Sequence, residues 1–473
     1  LTGDYAYKVK KAVNFGFLDY STPDQRKPCC DRELQMNQIG APGIYLDVLP
    51  ISQIGETLAL DNTACIVEYA LKMRQFSQDN LWSQLLDRQE LTETQLEQLG
   101  HTIARFHAAS ATNAYIRSFG NIRRVRDTID QNYEHTRKYI GSVQTQAQFT
   151  QTQNYTDRFL NENADLFDRR IQTEKIRECH GDLHLNNIAQ VDGKTILFDR
   201  IEFNEPFRFV DVMYDIAFTI ADLDARGQLD LSNAFVNAYI EETGDWEGLE
   251  VLPLYLCRQA YVRAKVTSFL LDDAGISAAD KATAAQTATR YYHQAWQYAQ
   301  LRQGQLFLMS GLSGSGKSTV ARRLARRVGG IQIRSDAVRK HLAGIPLHQR
   351  GDESLYTDAM TQQTYDRLLK LGERLATQGW SVILDAKFDR VSWRQRAIDV
   401  AQTHHLPLRI LQCTAPVAAI RDRLNSRTAD IADATADLLP SQQAAAEPFT
   451  PAEQKYVRSI DTTQPFAAQL ETV

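Results

Sequence analysis

Gly311-Leu312-Ser313-Gly314-Ser315-Gly316-Lys317-Ser318 fits the pattern G-x-x-x-x-G-K-[ST] at every fixed position. Before it, Leu306-Phe307-Leu308-Met309 reads as a buried strand, and after it Thr319 to Arg327 reads as a helix. That strand–loop–helix setting turns a pattern into a phosphate site. Backbone N–H groups of the glycine-rich loop close around phosphate oxygens. Lys317 reaches the outer phosphates, and Ser318 offers a hydroxyl to Mg²⁺. The expected nucleotide-binding set is Gly311, Ser313, Gly314, Ser315, Gly316, Lys317, Ser318 and Thr319. ATP and Mg²⁺ are the expected cofactors.

Outward from this loop the pattern alternates between strand and helix. Strands are predicted at 305–310, 331–334, 381–385 and 408–413. Helices are predicted at 317–328, 336–343, 353–378, 392–404 and 416–426. This is the rhythm of a parallel sheet with helices on both faces. The stretch Ala429 to Ala446 is rich in Ala and Asp and is expected to form a lid or a helix.

Before Gly304 the character differs. Residues 4–13, 43–51 and 63–69 read as strands and 24–39 as a helix carrying Glu33. Helical period dominates at 92–110, 122–172 and 206–303. Two short strand-like pieces flank a polar loop between Ile176 and Asp199. The expected domains are 1–303 and 304–473, an α+β domain followed by an α/β domain.

A length of 473 residues exceeds one ordinary core. A hydrophobic fraction of 43% excludes a disordered chain, and a net charge of −5 excludes a global basic field that would draw it to nucleic acid. Six cysteines form no C-x-x-C pair, as expected of reduced thiols and a cytoplasmic protein. No apolar run approaches the roughly eighteen residues of a membrane span. The chain begins at Leu1 in what reads as mid-domain sequence, so further N-terminal sequence is expected.

His180-Gly181-Asp182-Leu183-His184-Leu185-Asn186-Asn187 is the second constellation, followed by Ile196-Leu197-Phe198-Asp199. Phosphoryl transfer to a hydroxyl needs a carboxylate to orient or deprotonate it, with a polar side chain and a second carboxylate to hold Mg²⁺. Asp182, Asn187 and Asp199 offer those groups at the D-x-x-x-x-N…D spacing of a protein-kinase catalytic loop. His184 is expected to brace the loop, His107 to pack, and Asp215 to serve a structural role nearby.

These residues resemble the aminoglycoside phosphotransferase and choline kinase superfamily, small-molecule kinases with a protein-kinase-like fold. The resemblance implies Asp182 as catalytic base and Asn187 and Asp199 as metal ligands. It also implies an ATP-contacting lysine in Tyr7-Lys8-Val9-Lys10, partnered by Glu33. Lys8 and Lys10 share a face, so the sequence does not choose between them; Lys8 is the favoured candidate. The family places a nucleotide-covering hairpin before this strand, where this chain begins. The whole arrangement, with Phe15-Gly16-Phe17-Leu18-Asp19-Tyr20, resembles a bacterial fusion of such a domain with a P-loop kinase.

Asp385 ends the strand Ser381-Val382-Ile383-Leu384-Asp385 and is expected near Mg²⁺. Hydrolytic motors usually place glutamate next; here Ala386 follows, which favours transfer to an acceptor other than water. Ile333-Arg334-Ser335-Asp336-Ala337-Val338-Arg339-Lys340 resembles the acceptor-side motif of gluconate-kinase-like, zeta-toxin-like and polynucleotide kinases. That resemblance implies Asp336 as the base for the acceptor hydroxyl and Arg339 as the holder of an anionic acceptor. A helix N-cap is the structural alternative for Asp336. It also implies a catalytic lid of arginines near Arg421, with Arg423 and Arg427 four apart on one face.

The leading reading is a two-domain ATP-dependent phosphotransferase acting on hydroxyls of small molecules. Alternatives are a polynucleotide 5′-hydroxyl kinase, helped by Arg322, Arg323, Arg326 and Arg327, and a pseudokinase half regulating an active one. No membrane partner is expected.

Overall fold

The computed structural model describes residues 3–14, 19–426, 431–465 and 469. Contacts group the chain into two compact units, Leu1–Gln228 with Val251–Gln300, and Leu229–Glu250 with Leu301–Val473.

The first unit opens with a small antiparallel sheet of β1 (Tyr5–Val9), β2 (Tyr45–Ile54), β3 (Thr57–Leu60) and β4 (Ile66–Arg74). Their order is β1-β4-β2-β3, so β1 lies at an edge. Strand β3 was not expected from the sequence; its Thr57-Leu58-Ala59-Leu60 is too short to show a period. The helix Pro23–Gly40 covers this sheet. Thr22 and Gln25 form a reciprocal capping box at its start, with Pro23 at the first helical position, where a missing N–H costs nothing. Ile44, Tyr45 and Leu71 close a core with Ala189, Val191 and Ile196 of the hairpin β6 (Ile188–Val191) and β7 (Lys194–Leu197). A further pair, β5 (Ile176–Glu178) and β8 (Phe209–Asp211), sets the two ends of the polar loop side by side. The remainder of this unit is helical. The expected helical run 122–172 divides into Ile122–Thr136, Gln146–Glu162 and Ala164–Gln172, broken where Gly141 turns the chain and Asn163 ends a helix.

The second unit holds a wholly parallel sheet, ordered β10 (Ile331–Arg334), β11 (Ser381–Asp385), β9 (Gln305–Ser310), β12 (Leu408–Thr414), β13 (Val457–Asp461). Strands leave β9 in both directions, so a crevice opens at the carboxyl ends beside Ser310. Strand β13 was not expected, since Val457-Arg458-Ser459-Ile460-Asp461 is half polar and lies on the exposed edge. The expected helix 353–378 starts at Asp358, capped by Thr357, after a short 3₁₀ turn.

The units do not follow the expected division at 303/304 in full. Residues 229–250 belong with the second unit because they satisfy its edge strand β10. Gln332 N–H, with no further strand to meet, donates to Asn237 Oδ1 at 2.7 Å. Asn233 Nδ2 donates to Gly330 O at 2.9 Å, and Arg326 donates to Asn233 Oδ1 at 2.9 Å. Trp246 is buried against His341, and Glu250 pairs with Arg374 at 2.7 Å. Polar, helical residues gave no sign of this, because their partners lie about a hundred positions away.

All six cysteines are free. Among the described residues no helix is long and apolar enough to cross a membrane.

Candidate functional site

Two sites emerge, one in each unit. In the first, the two-residue period of β1 turns Lys8 and Lys10 to the same face, towards the buried Glu33. Both lysines bind it. Lys8 Nζ lies 2.8 Å from Glu33 Oε1 and 2.6 Å from Asp199 Oδ1. Lys10 Nζ lies 2.6 Å from Glu33 Oε2 and also pairs with Glu202, which accepts from the Tyr20 hydroxyl at 2.5 Å. Exposure separates the two lysines. The Lys8 side chain is 39% exposed and opens on the cleft, whereas Lys10 is 5% exposed. Burial works against both ammonium charges. The carboxylates of Asp199 and Glu33 for Lys8, and of Glu33 and Glu202 for Lys10, outweigh it and hold both above the usual lysine range.

Asp199 sits in the left-handed region, with φ of 63°, a conformation aspartate tolerates better than most residues. Its N–H donates to the Tyr45 hydroxyl at 3.0 Å. Arg200 ties the same segment to the Glu33 helix: its N–H donates to Asn37 Oδ1 at 3.0 Å and its guanidinium to Met36 O at 2.8 Å.

The loop carrying Asp182 is held from below by one helix, Val212–Ala225, whose Asp215, Thr219 and Asp222 recur on one face. Asp215 accepts from His180 N–H at 3.0 Å and Gly181 N–H at 2.7 Å. Thr219 donates to Leu183 O at 2.7 Å, and Asp222 accepts from Leu185 N–H at 3.1 Å. His107, expected only to pack, also bonds to Asp215, at 3.0 Å. Gly181 has φ of 87°, and a Cβ there would lie 2.6 Å from Phe207 O, so no other residue fits. Burial pushes the His180 imidazole down to about 4, and its Nε2 lies 2.9 Å from Phe198 O.

Above this base, Asn187 Nδ2 donates to Asp182 O at 2.9 Å and to Asp182 Oδ2 at 3.2 Å, and His184 Nε2 lies 3.3 Å from the same oxygen. Burial would raise the Asp182 pKa, but His184 and His180 hold it below the usual carboxylate range. A cleft of about 430 Å³ beside Lys8 and Asp199 has apolar walls from Ala6, Ile44, Met73, Phe76 and Phe198. A second cavity, of about 350 Å³, joins Lys8, Asp182 and Asp199 to Lys10 and Glu202.

In the second unit Gly311-Leu312-Ser313-Gly314-Ser315-Gly316 links β9 to the helix Lys317–Val328. Gly311 has φ of 137°, and a Cβ there would meet Cys413 O at 2.5 Å and Ser315 Oγ at 2.8 Å. The start of the loop therefore packs closely on β12, where only glycine fits. Ser315 Oγ is buried with no hydrogen-bond partner, a group waiting for an acceptor. Lys317 Nζ donates to Leu312 O at 2.8 Å. Burial pushes Lys317 below the usual lysine range, and the carboxylates of Asp385 and Asp336 offset part of that. Asp385, buried at the end of β11, accepts from Gln332 Nε2 at 2.8 Å; that amide also lies 3.3 Å from Ser318 O. Lys317, Ser318 and Asp385 thus converge, as Mg²⁺ and phosphate chemistry requires.

The acceptor side differs more from expectation. The helix Ser335–Ala343 is preceded by Arg334 at the N-cap position, so Asp336 stands in its first turn and is not the N-cap. Arg339 is buried, donates to Leu355 O at 2.7 Å and packs over Tyr356 at 5.2 Å, with its Nε unsatisfied. Arg423 donates to Thr462 Oγ1 and to Thr462 O, both at 2.9 Å, while Thr462 Oγ1 donates to Ser315 O at 2.8 Å. This arginine braces the back of the loop. Arg427 lies outside the described residues, as do Phe15 to Leu18. Of the expected lid, residues 436–438 form a 3₁₀ turn and Leu439–Ala445 a short helix whose Gln442 reaches Ser313.

Tyr20, Glu202, Gln332, Gln442 and Thr462 were not singled out from the sequence as site residues, and Lys10 was named only as the less favoured of two lysines. Glu202 carries a faint signal, three positions after Asp199, and Gln332 another, as a polar residue inside a buried strand. The others have no local signature.

The family described as "Phosphotransferase enzyme family" matches residues 79–252, and the family described as "AAA domain" matches residues 306–449. Uncharacterised proteins of Mycobacterium bovis and Mycobacterium tuberculosis are 30% identical over 442 residues, covering 93% of this chain and 86% of theirs. Among solved structures, a sugar kinase from a Janibacter species is 24% identical over 36% of this chain and 91% of that one, with a TM-score of 0.28. A gluconokinase from Sinorhizobium meliloti is 22% identical over 36% of this chain and 89% of its own, with a TM-score of 0.27. The APS kinase of Mycobacterium tuberculosis, solved with AMPPNP and APS, is 20% identical over 36% and 95%, with a TM-score of 0.26.

Proposed function

Because the chain belongs to one family with these mycobacterial proteins, joining a phosphotransferase domain to a P-loop kinase domain, we propose that it transfers the γ-phosphoryl group of ATP to hydroxyl groups of small-molecule acceptors. The observation that carries this reading is that each unit brings a lysine together with a carboxylate. In the first these are Lys8 and Asp199, at 2.6 Å. In the second, Lys317 is buried beside Asp385.

Bound ATP with Mg²⁺ supplies the activated phosphoryl group; the chain's residues do the rest. In the first unit Lys8, fixed by Glu33, orients the phosphates, and Asn187 and Asp199 hold the metal. Asp182, kept ionised by His184, receives the acceptor's proton and orients its oxygen. In the second unit the loop N–H groups and Lys317 hold the phosphates, and Ser318 and Asp385 hold the metal. Asp336 takes the acceptor proton, and Arg339 supplies positive charge for an anionic acceptor. A cytoplasmic location suits a consumer of ATP.

Radiolabelled ATP offered with sugars, amino alcohols and 5′-hydroxyl oligonucleotides tests the reading. Label should enter a small molecule; transfer to oligonucleotides alone would replace it with an end-kinase. Asp182→Ala should lower transfer by the first unit by about 10²–10⁴-fold. Lys317→Ala should abolish transfer by the second and spare the first. If either variant leaves every transfer rate unchanged, the corresponding half is a regulatory or structural domain.

A further inference from the structure

The phosphate loop is already engaged by another part of its own unit. Gln442 Oε1 accepts from Ser313 N–H at 3.0 Å, and Gln442 Nε2 donates to Ser313 Oγ at 3.1 Å. The helix Leu439–Ala445 that carries it is fixed in place. Leu439 is buried with Ile420 and Leu424, and Leu312 of the loop packs on the same cluster. The contact is therefore a two-point bond between anchored elements.

One group of each kind that such a loop offers to phosphate meets an oxygen of this chain. Ser313 N–H meets the carboxamide oxygen of Gln442, and the Lys317 ammonium meets the carbonyl of Leu312. A carboxamide oxygen 3.0 Å from a loop N–H has the geometry of a phosphate oxygen in that place. The carboxamide differs in being neutral and in bringing its own donor, which here falls on the Ser313 hydroxyl.

We propose that Gln442 is a positioning residue of the phosphate loop: its carboxamide oxygen occupies the Ser313 N–H until a nucleoside triphosphate oxygen takes its place. The inference rests on reading the loop as a nucleotide site. It adds that triphosphate entry breaks the Gln442–Ser313 bond, so occupancy of the loop is reported to the helix Leu439–Ala445. The exchanged bond lowers the affinity of the loop for nucleotide, because only the fraction of molecules with Gln442 displaced is competent to bind. Losing one such bond, at the net worth of an ordinary hydrogen bond, should tighten binding by about 3- to 10-fold.

Hydrogen exchange of the peptide covering residues 311–318 gives an affinity for this site alone, whatever the other cleft binds. The full chain would be titrated with MgATP and the half-protecting concentration read. In Gln442→Ala it should fall by about 3- to 10-fold. A residue that merely stiffened the loop would loosen binding or leave it alone, and either result overturns the proposal. Gln442→Glu keeps an acceptor for Ser313 N–H and adds a negative charge facing the incoming phosphates, so it should weaken binding by about tenfold or more; wild-type affinity in that variant also overturns it. Lys317→Ala separates the two levels. If MgATP still protects this peptide at wild-type concentrations in Lys317→Ala, the nucleotide reading of the loop fails. If that protection is lost while Gln442→Ala does not tighten binding, only the role of Gln442 fails.

Discussion

The two candidate sites are built by opposite constructions. The second-unit loop is one run of eight residues, Gly311 to Ser318, and its candidate phosphate-binding groups are mostly backbone N–H groups. The first-unit site is assembled from five separate pieces: β1, the helix Pro23–Gly40, the Asp182 loop, the Asp199 segment and the helix beneath. Its working groups are charged side chains held by other charged side chains. Glu33 alone serves two lysines. A contiguous site tolerates change in its surroundings, since local geometry makes it. A dispersed site depends on each strut that fixes one piece against another.

That contrast can be broken by removing a strut. Asp215→Ala should destabilise the first unit by about 3–5 kcal/mol, because it strands two buried N–H groups and His107 at once. Urea unfolding followed by hydrogen exchange would assign the loss to residues 1–228 and leave 301–473 unchanged. A loss shared equally would show that the units unfold as one and that the contrast has no energetic meaning.

A pH titration sharpens it. His180 has its imidazole held down to about 4 against an ordinary value of 6.5. Between those values the unfolded chain binds a proton that the native chain does not, so stability rises with pH there and is lost as pH falls from 6.5 towards 4. The loss should reach about 3 kcal/mol in the first unit. His180→Asn should flatten that part of the profile, and an unchanged slope would remove His180 from the account.

The smallest effect falls on the contiguous site. Gln332→Ala removes a bond to Asp385 and a longer one to Ser318 O, and should cost about 1 kcal/mol, with a few-fold rise in the nucleotide concentration needed by the second unit. A loss as large as that from Asp215→Ala would mean this site is also built on long-range struts.

Legibility followed the same division. Every fixed position of the phosphate loop, and the spacing from Asp182 to Asn187, could be read because these residues are near neighbours whose backbone must take one shape. Four of the five strands of the parallel sheet were equally clear, since buried runs such as Val382-Ile383-Leu384 allow little else, while the polar edge strand β13 was not. The choice between Lys8 and Lys10 could not be read, because a period of two places them on one face and only the packing of Tyr20 and Glu202 buries one. Arg423 was assigned to catalysis by resemblance, yet it bonds to Thr462, thirty-nine positions away. The Gln442 contact spans 129 positions.

The sequence by itself determined that there are two folds and which short motif marks the candidate site in each. Periodicity, glycine placement and motif spacing are local properties, set by sterics and backbone hydrogen bonding within a few residues. Only the tertiary structure decided which lysine faces the cleft, that one helix face bearing Asp215, Thr219 and Asp222 holds the Asp182 loop, that residues 229–250 complete the edge of the second sheet, and that Gln442 sits on the phosphate loop. Each of those outcomes depends on a polar group finding its partner across a long stretch of chain. Such pairing is set by how whole elements pack and by the cost of leaving a buried donor or acceptor unmet.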